Sequence, residues 1–310
     1  MRRLRTQVIV NPESNQGRTR RRWKQIREAI RSFIHDFRYD FTEKLQAIEI
    51  TREAIKSGHE LIIGVGGDGT MNEIANGFFE GRRMINPGTA LGIVPSGTGS
   101  DLTRSLYIPP RLRDALKIIT QAPSTPIDVG RVTFRANSGS EMERFFLNVA
   151  DFGVGGEVVR RVNQRRLERK TSSYIRCLVS TMRRYQSKRV KLRVDGREVA
   201  EEEFVIGAVA NGRIFGKGMK FAPHAKLDDG QFDIILVRDM GFFEFCRHGW
   251  RVFLGTHLSH PKISFLRGRE VESLSPDRSH VLLELDGEQL GGLPARFEIR
   301  PRHLLVKGYI

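Results

Sequence analysis

Cysteine is nearly missing from this chain: Cys177 and Cys246 are its only two. Two thiols with no motif spacing build neither a disulfide scaffold nor a zinc site, and they fit a reducing cytoplasm. Long apolar runs are missing as well. No stretch approaches the roughly 20 apolar residues of a membrane span. The Val8-Ile9-Val10 run behind Met1-Arg2-Arg3-Leu4-Arg5 is shorter than the about 7–15 apolar residues of a signal-peptide core. We therefore expect a cytoplasmic protein that can adhere to a membrane surface but not span it. Internal repeats and low-complexity linkers are absent, and the composition argues against disorder or a fibrous fold. Acids are scarce relative to bases: 36 Asp and Glu stand against 52 Lys and Arg, a formal net charge of +16. A small domain usually carries a net charge of only about 2–8 in magnitude. The excess speaks about partners rather than fold. Nucleic acid, an anionic membrane surface and anionic small molecules are candidates, beside plain solubility.

What is present divides the 310 residues into two halves, more than one domain of about 100–200 residues requires. The first half alternates strands with helices. Gln7 to Asn11 reads as a short buried strand, and Trp23, Ile26, Ile30 and Phe33 lie at helical spacing within a basic helix from Arg18. Arg38 to Thr42 and Leu61 to Val65 read as strands, with a helix between them ended by Gly58. Ala90 to Val94 is a further apolar strand. This alternation predicts an α/β domain on a parallel sheet. After about Val132 the pattern changes. Phe145 to Val149, Val190 to Val194, Phe204 to Ala210, Phe232 to Val237 and Val281 to Leu285 read as strands. Turn signals Asp195-Gly196, Asp229-Gly230 and Asp286-Gly287 separate them. One helical region, Val158 to Gln186, interrupts this half. The fold class expected is α/β plus a β-rich, mostly antiparallel sandwich. Residues 1–131, completed by 302–310, would bind nucleotide, and 132–301 would hold the substrate.

Two loops carry the chemistry. Gly64-Val65-Gly66-Gly67-Asp68-Gly69-Thr70 follows a buried strand and opens a helix. Glycines allow a tight turn and the close approach of a phosphate, and helix N-terminal amides favour an anion. Asp68 would repel phosphate alone, so its presence implies a cation, most simply Mg²⁺. Pro95-Ser96-Gly97-Thr98-Gly99-Ser100-Asp101 repeats the arrangement after another strand. Ligands of parallel sheets sit beyond the carboxyl ends of the strands, where both loops would meet. Each loop alone also fits an ordinary βα turn with a helix cap. The Walker A pattern and a Gly-x-Ser-x-Gly elbow are both absent. His257 and His260 lie three apart, with no spacing of partners to suggest a metal.

A wider pattern joins these loops. In order come Asn11-Pro12, Gly66 to Asn72, Gly97 to Asp101, Ile127-Asp128-Val129-Gly130, Ala222-Pro223, Lys226-Leu227-Asp228-Asp229-Gly230 and Asp286-Gly287-Glu288. From about Val8 to Val306 the chain resembles the diacylglycerol kinase catalytic-domain family, soluble bacterial lipid kinases related to sphingosine and ceramide kinases. The resemblance implies ATP and Mg²⁺ as cofactors and a lipid alcohol as acceptor. It implies that Asn11, Pro12, Glu13, Ser14, Asn15 and Thr42 line the nucleotide. Gly66, Gly67, Asp68, Gly69, Thr70, Met71, Asn72 and Thr98 would surround its phosphates. Asp68, Asp101 and Asp128 would form an acidic network about the catalytic Mg²⁺, and Glu288 would be the general base. Asp229, through its carboxylate, and Lys226 and Gln231, through their carbonyls, would hold a structural Mg²⁺. Ser100 and Lys217 stand where many members have Asn and Gly.

Read from the residues alone, Asp286-Gly287-Glu288 ends an apolar strand, and fits either a hairpin turn or a carboxylate held rigidly for proton transfer. From Arg160 to Arg193 thirteen basic residues accompany the single acid Glu168. Such a region can lie on an anionic leaflet or form a solvated face. No RNA- or DNA-reading motif accompanies it, which makes nucleic acid the weaker partner. We expect the active site in a cleft between the domains and peripheral association with the inner face of the membrane. A homodimer stays open. The rivals are a kinase of a soluble acceptor such as NAD, which shares the Gly66–Thr70 loop, and a non-enzymatic basic nucleotide- or nucleic-acid-binding protein.

Overall fold

The computed structural model describes residues 4–43, 45–97, 99–164, 171–277 and 279–309. The chain divides into one unit of Met1–Asp128 with Arg302–Ile310 and a second unit of Val129–Pro301. Thr98 and residues 165–170, part of the basic region, lie outside the described residues.

The first unit is mixed α/β. Its elements run β1 (Thr6–Val10), α1 (Ser14–Phe33), β2 (Arg38–Phe41), α2 (Gln46–Lys56), β3 (Leu61–Gly66), α3 (Asp68–Gly77), β4 (Phe79–Glu80), β5 (Arg83–Met84), β6 (Ala90–Pro95), α4 (Asp101–Ser105) and α5 (Leu112–Gln121). β1 pairs in parallel with β2 and β3, and β3 with β6. Leu305 and Val306 add a further parallel neighbour to β6. One face presents Val8, Val10, Leu61, Ile63, Val65, Ala90 and Val94 to Trp23, Ile26 and Ile30 of α1 and to Leu116 and Ile119 of α5. Burying each large side chain of this set stabilises the fold by roughly 1.5–3 kcal/mol. α1 opens with a kink: Asn15, Gln16 and Gly17 have φ of 53°, 58° and 73°. Regular helix therefore begins at Arg18, where the apolar spacing puts it.

The second unit is β-rich. After β7 (Ser124–Ala136) come β8 (Glu141–Phe146), β9 (Val149–Gly153), α6 (Val154–Gln164), α7 (Thr171–Met182), β10 (Lys188–Val194), β11 (Arg197–Ala210) and β12 (Phe232–Arg238). Then follow α8 (Phe242–His248), α9 (Arg251–Leu254), a 3-10 turn at His257–Ser259, β13 (Ile263–Gly268), β14 (Glu270–Leu274), β15 (Leu282–Leu285) and β16 (Glu288–Lys307). The pairings within this unit are antiparallel, with β11 meeting β9, β10 and β12. One core gathers Phe134, Phe146, Phe152, Phe232 and Phe297. A second lies under the helices and includes Val158, Tyr174, Met182, Phe215 and Phe221. Asp195 and Gly196 both have positive φ, 49° and 77°, as a tight hairpin between β10 and β11 requires.

Three details depart from the sequence expectation. The single strand expected at Phe145 to Val149 is broken, because β8 ends at Phe146 and β9 starts at Val149. The expected helical region from Val158 to Gln186 contains two helices, α6 and α7, and helix ends at Met182, followed by a turn. β10 lies beside β11, which supplies the acids that Arg160 to Arg193 lacks. Lys191 contacts Glu198 at 2.7 Å and Arg189 contacts Glu201 at 2.9 Å. Arg160 and Arg161 both hold Glu157.

α2 and α3 approach closely at Gly77, where a Cβ would lie 2.4 Å from Thr51 Cβ and 2.6 Å from the Ile48 carbonyl oxygen. Alanine favours a helix interior over glycine by about 1 kcal/mol. Here the backbone oxygen cannot retreat, and overpacking should dominate. Gly77→Ala is expected to destabilise the first unit by about 1–3 kcal/mol in chemical denaturation; a stabilised variant would refute this packing.

Candidate active site

The carboxyl ends of β1, β2, β3 and β6 place Asn11, Thr42, Gly66 and Ser96 in one neighbourhood. The Asn11 amide N–H donates to the Val65 carbonyl at 3.0 Å, and its side chain donates to Thr70 Oγ1 at 2.9 Å. Thr42, buried, donates its N–H to the Val10 carbonyl at 2.8 Å. Ser14 shares a hydrogen bond with Thr19, which shares another with Ser96. Ser96 N–H in turn donates to the Gly66 carbonyl at 2.8 Å. The first loop is thus tied to both phosphate-type loops. Pro12 accepts Arg20 N–H through its carbonyl, and Glu13 forms an exposed ion pair with Arg20.

Those two loops touch. A Cβ on Gly97 would lie 2.5 Å from Gly67 Cα, so only glycine permits this approach. Asp68 fastens them: its two carboxylate oxygens accept the N–H groups of Asp101 and Leu102, each at 3.2 Å. α3 starts at Asp68 with no side-chain cap, so its first-turn amides are suited to an anion. The Met71 side chain does not serve the loop. It is buried and packs under Gly64, leaving its backbone as the part that can meet a ligand. Asn72, also buried, accepts from the Asn76 side chain.

Asp101 is buried and accepts from Arg104 at 3.1 Å. Asp128 is fully buried, and its carboxylate accepts Arg302 N–H at 2.7 Å. It therefore ties together the two points where the chain leaves and re-enters the first unit. Among the described residues no three His, Cys, Asp or Glu side chains are grouped to hold a metal. Mg²⁺ commonly takes only one or two protein carboxylates, with water and substrate phosphates completing its shell. Asp68 and Asp101, joined at the loop contact, fit that demand.

In the second unit Asp286 and Gly287 form the β15–β16 turn, with φ of 47° and 95°. Asp286 is a backbone clamp. Its carboxylate accepts the N–H groups of Leu147 at 2.9 Å and of Asn148 and Val149 at 3.0 Å each. This explains the broken strand, because three amides that would join a ladder turn to one carboxylate instead. Glu288, half-buried, opens β16 directly opposite Leu285. Lys226 is exposed, whereas Asp229 accepts Gln231 N–H at 3.1 Å. Nearby Asp233 is buried, held by Arg267 at 2.9 Å, and its second oxygen has no partner. Burial raises its pKa, and the charge of Asp229 adds to the rise. Two acids with one orphan oxygen suit a cation.

The sequence reading missed a buried acid pair. Asp151 on β9 stands opposite Glu284 on β15, and both are fully buried. Glu284 also accepts Gly287 N–H, next to Glu288. Burial pushes Asp151 up to about 6, and burial with the neighbouring Asp151 charge pushes Glu284 well above the usual carboxylate range. Like charges so placed favour sharing one proton. An acid inside the apolar run Val281 to Leu285 was the available signal. The same unit holds a cavity of about 340 Å³ lined by α7, α8, α9, the middle of β11 and the end of β12. Tyr174, Leu178, Met182, Phe215, Met240 and Val252 are among its walls.

Two glycine–carboxylate loops on one set of strand ends, and a carboxylate on a rigid hairpin, define a nucleotide-dependent phosphotransferase. Residues 5–132 match the diacylglycerol kinase catalytic domain, and residues 148–308 match the YegS C-terminal NAD kinase beta sandwich-like domain. The chain belongs to the diacylglycerol kinase catalytic-domain family. Among its relatives is the diacylglycerol kinase of Staphylococcus aureus strain MRSA252, 29% identical, with 98% of this chain and 92% of that protein covered. A crystallised Bacillus anthracis str. Sterne protein assigned as a diacylglycerol kinase superposes with a TM-score of 0.76 at 26% identity, covering 98% of this chain and 97% of the other. Another from the same strain gives 0.72 at 24% identity, with the same coverage, a likeness of fold.

Two expectations test the second unit. Asp286→Ala leaves three amides unpaired at about 1–3 kcal/mol each, so its denaturation midpoint should fall sharply while Asp286→Asn retains part of the loss. The Asp151–Glu284 pair binds protons more tightly folded than unfolded. Its stabilisation is therefore complete below the unfolded carboxylate pKa of about 4 and is lost as pH rises through about 6. Thermal melts should show stability falling from this source between those pH values, and Asp151→Asn should flatten that slope. An unchanged slope would contradict the shared proton.

Proposed function

We propose that the chain is an ATP-dependent lipid kinase that transfers the γ-phosphoryl group to the hydroxyl of a lipid alcohol such as diacylglycerol. The observation that carries this reading is the apolar cavity in the unit that bears Glu288. An acyl chain fits walls of Leu, Met, Val and Phe. A dinucleotide acceptor such as NAD would need polar walls there, so the soluble-substrate reading is the weaker one. The C-terminal match to an NAD kinase-like sandwich describes the scaffold, and fold alone does not choose the acceptor.

In this reading Asn11 to Asn15 and Thr42 line the nucleotide. The α3 amides after Gly67, with Thr70 and Asn72, hold its phosphates. Asp68 and Asp101 would hold Mg²⁺, with Asp128 in the acidic network beside them. Such an ion, when bound, would neutralise phosphate charge during transfer. Glu288 takes the hydroxyl proton as the lipid oxygen bonds to the γ-phosphorus, and the bond to the bridging oxygen breaks to release ADP. Asp286, through its three amide bonds, and Glu284, through Gly287, fix the turn that aims Glu288. Asp229, with the Lys226 and Gln231 carbonyls, would hold a second, structural cation. Such a reaction places the protein at the inner membrane face, where the basic residues between Arg160 and Arg193 favour an anionic leaflet.

The test is transfer from labelled ATP to a panel of lipid alcohols. Glu288→Gln should lower kcat by about 10²–10⁴-fold, with the circular dichroism spectrum kept. Asp68→Asn should do so while also weakening the dependence of rate on Mg²⁺. Full activity in both variants, or turnover of NAD equal to that of lipid, would overturn the reading.

A further inference from the structure

Between β12 and β13 the second unit carries an apolar surface that the chain itself leaves uncovered. Phe243 of α8 is 87% exposed, Trp250 is 58%, Leu254 of α9 is 61% and Phe253 is 37%. Neither α8 nor the turn that follows it buries a side chain fully. Four large apolar side chains within twelve residues cost free energy in water, and grouped exposure of this kind marks an interaction surface. The Trp250 indole N–H donates to the Arg247 carbonyl at 3.0 Å. Its polar atom is therefore already satisfied, and the ring can leave water without a new partner.

Three further observations choose the occupant. First, the same segment walls the cavity: Phe245, Trp250, Val252 and Phe253 line it. The exposed surface is continuous with the space where we place an acyl chain. Second, cations border the aromatics. Arg247 and Arg251 lie on the segment, and Lys220, whose N–H donates to the Val252 carbonyl, packs beside Gly255. The segment's acid, Glu244, is already held by Lys262 at 2.7 Å. Third, α7 forms another wall of this cavity and carries Arg176, with Arg183 and Arg184 directly after it. Apolar side chains ringed by cations match a bilayer with anionic headgroups. A protein partner would gain nothing from continuity with an acyl cavity.

We propose that residues 242–254 are an interfacial docking element, which inserts Phe243, Trp250 and Leu254 into an anionic bilayer and brings the cavity mouth to the lipid from which the substrate is drawn. The proposal rests on the lipid-kinase reading for its purpose, but not for its physical test. The cations of Arg160 to Arg193 already paired with glutamates then have a lesser part than α8 and α9.

The protein is mixed with phosphatidylcholine vesicles, with and without phosphatidylglycerol, and bound protein is measured by sedimentation. The triple variant Phe243→Ser, Trp250→Ser, Leu254→Ser should bind anionic vesicles at least about tenfold more weakly, given the apolar area withdrawn from the bilayer. Because Trp23 is the only other tryptophan and is buried, Trp250 emission should shift to the blue on vesicle addition. Phe243 and Leu254 do not line the cavity, so in the double variant Phe243→Ser, Leu254→Ser transfer to short-chain, monomeric diacylglycerol should stay within about twofold, while transfer to vesicle-borne lipid falls in step with binding. Vesicle affinity unchanged by the substitutions, or native Trp250 emission unmoved by vesicles, would overturn the docking surface. So would a native dimer in sedimentation velocity that the variant converts to monomer, which would assign the surface to a second copy. Absence of phosphorylation of every lipid alcohol would instead overturn the kinase reading, and vesicle binding would still decide the docking element.

Discussion

A carboxylate taken out of water must be given hydrogen-bond donors, and this chain repeatedly meets that requirement with backbone amides from distant segments. Asp68 holds Asp101 and Leu102. Asp128 holds Arg302. Asp286 holds Leu147, Asn148 and Val149. Charge-assisted bonds to backbone N–H are stronger than neutral ones. They also fix a loop that has few apolar contacts of its own. In each unit the parts assigned to catalysis hang on such a clamp. Losing one leaves amides, as well as an acid, without a partner.

The two units use the same device for different ends. In the first, Asp68 joins two loops at a glycine contact, so that a helix start and a carboxylate share one neighbourhood. An anion and a cation can then be held together without either being buried alone. In the second, Asp286 ties the turn to Leu147, Asn148 and Val149, and the proposed reading gives the proton transfer to Glu288 two residues on. Glu284, holding Gly287 and facing Asp151, adds a buried proton-sharing pair to that support. The family pattern of acids is therefore divided. The proposed reading gives chemistry to Asp68, Asp101, Asp128 and Glu288, yet Asp68 and Asp128 also bind backbone amides, and Asp286 binds three. A carboxylate in a motif is not by that fact a ligand.

In the proposed reading the second unit separates binding the lipid from reaching it: the apolar cavity would take an acyl chain, and the exposed aromatic segment at its wall would bring the protein to the bilayer. Both are built from elements between β9 and β13.

How much was legible follows from the range of the interactions. The Gly66–Thr70 and Gly97–Asp101 loops could be read because glycine and acid between an apolar strand and a helix punctuate the chain locally. The helix from Arg18 and the type of each half followed from periodicity for the same reason. The break at Leu147-Asn148 could not be read, since the carboxylate that causes it lies 139 residues further on. β13 and β14 were missed because their apolar pattern is mixed, and their pairing with distant strands makes them strands. Asp151 and Glu284 became a pair only when two strands came into register. The basic stretch seemed unopposed until β11 brought its glutamates alongside β10. The sequence by itself determined the α/β and β-rich halves, the phosphate-type loops and the hairpin that bears Glu288, all encoded within a few neighbouring residues. Only the tertiary structure decided which acids clamp the backbone, where the acyl-sized cavity lies and that Phe243, Trp250 and Leu254 stay in water, because burial and long-range hydrogen bonding exist only after the chain has folded.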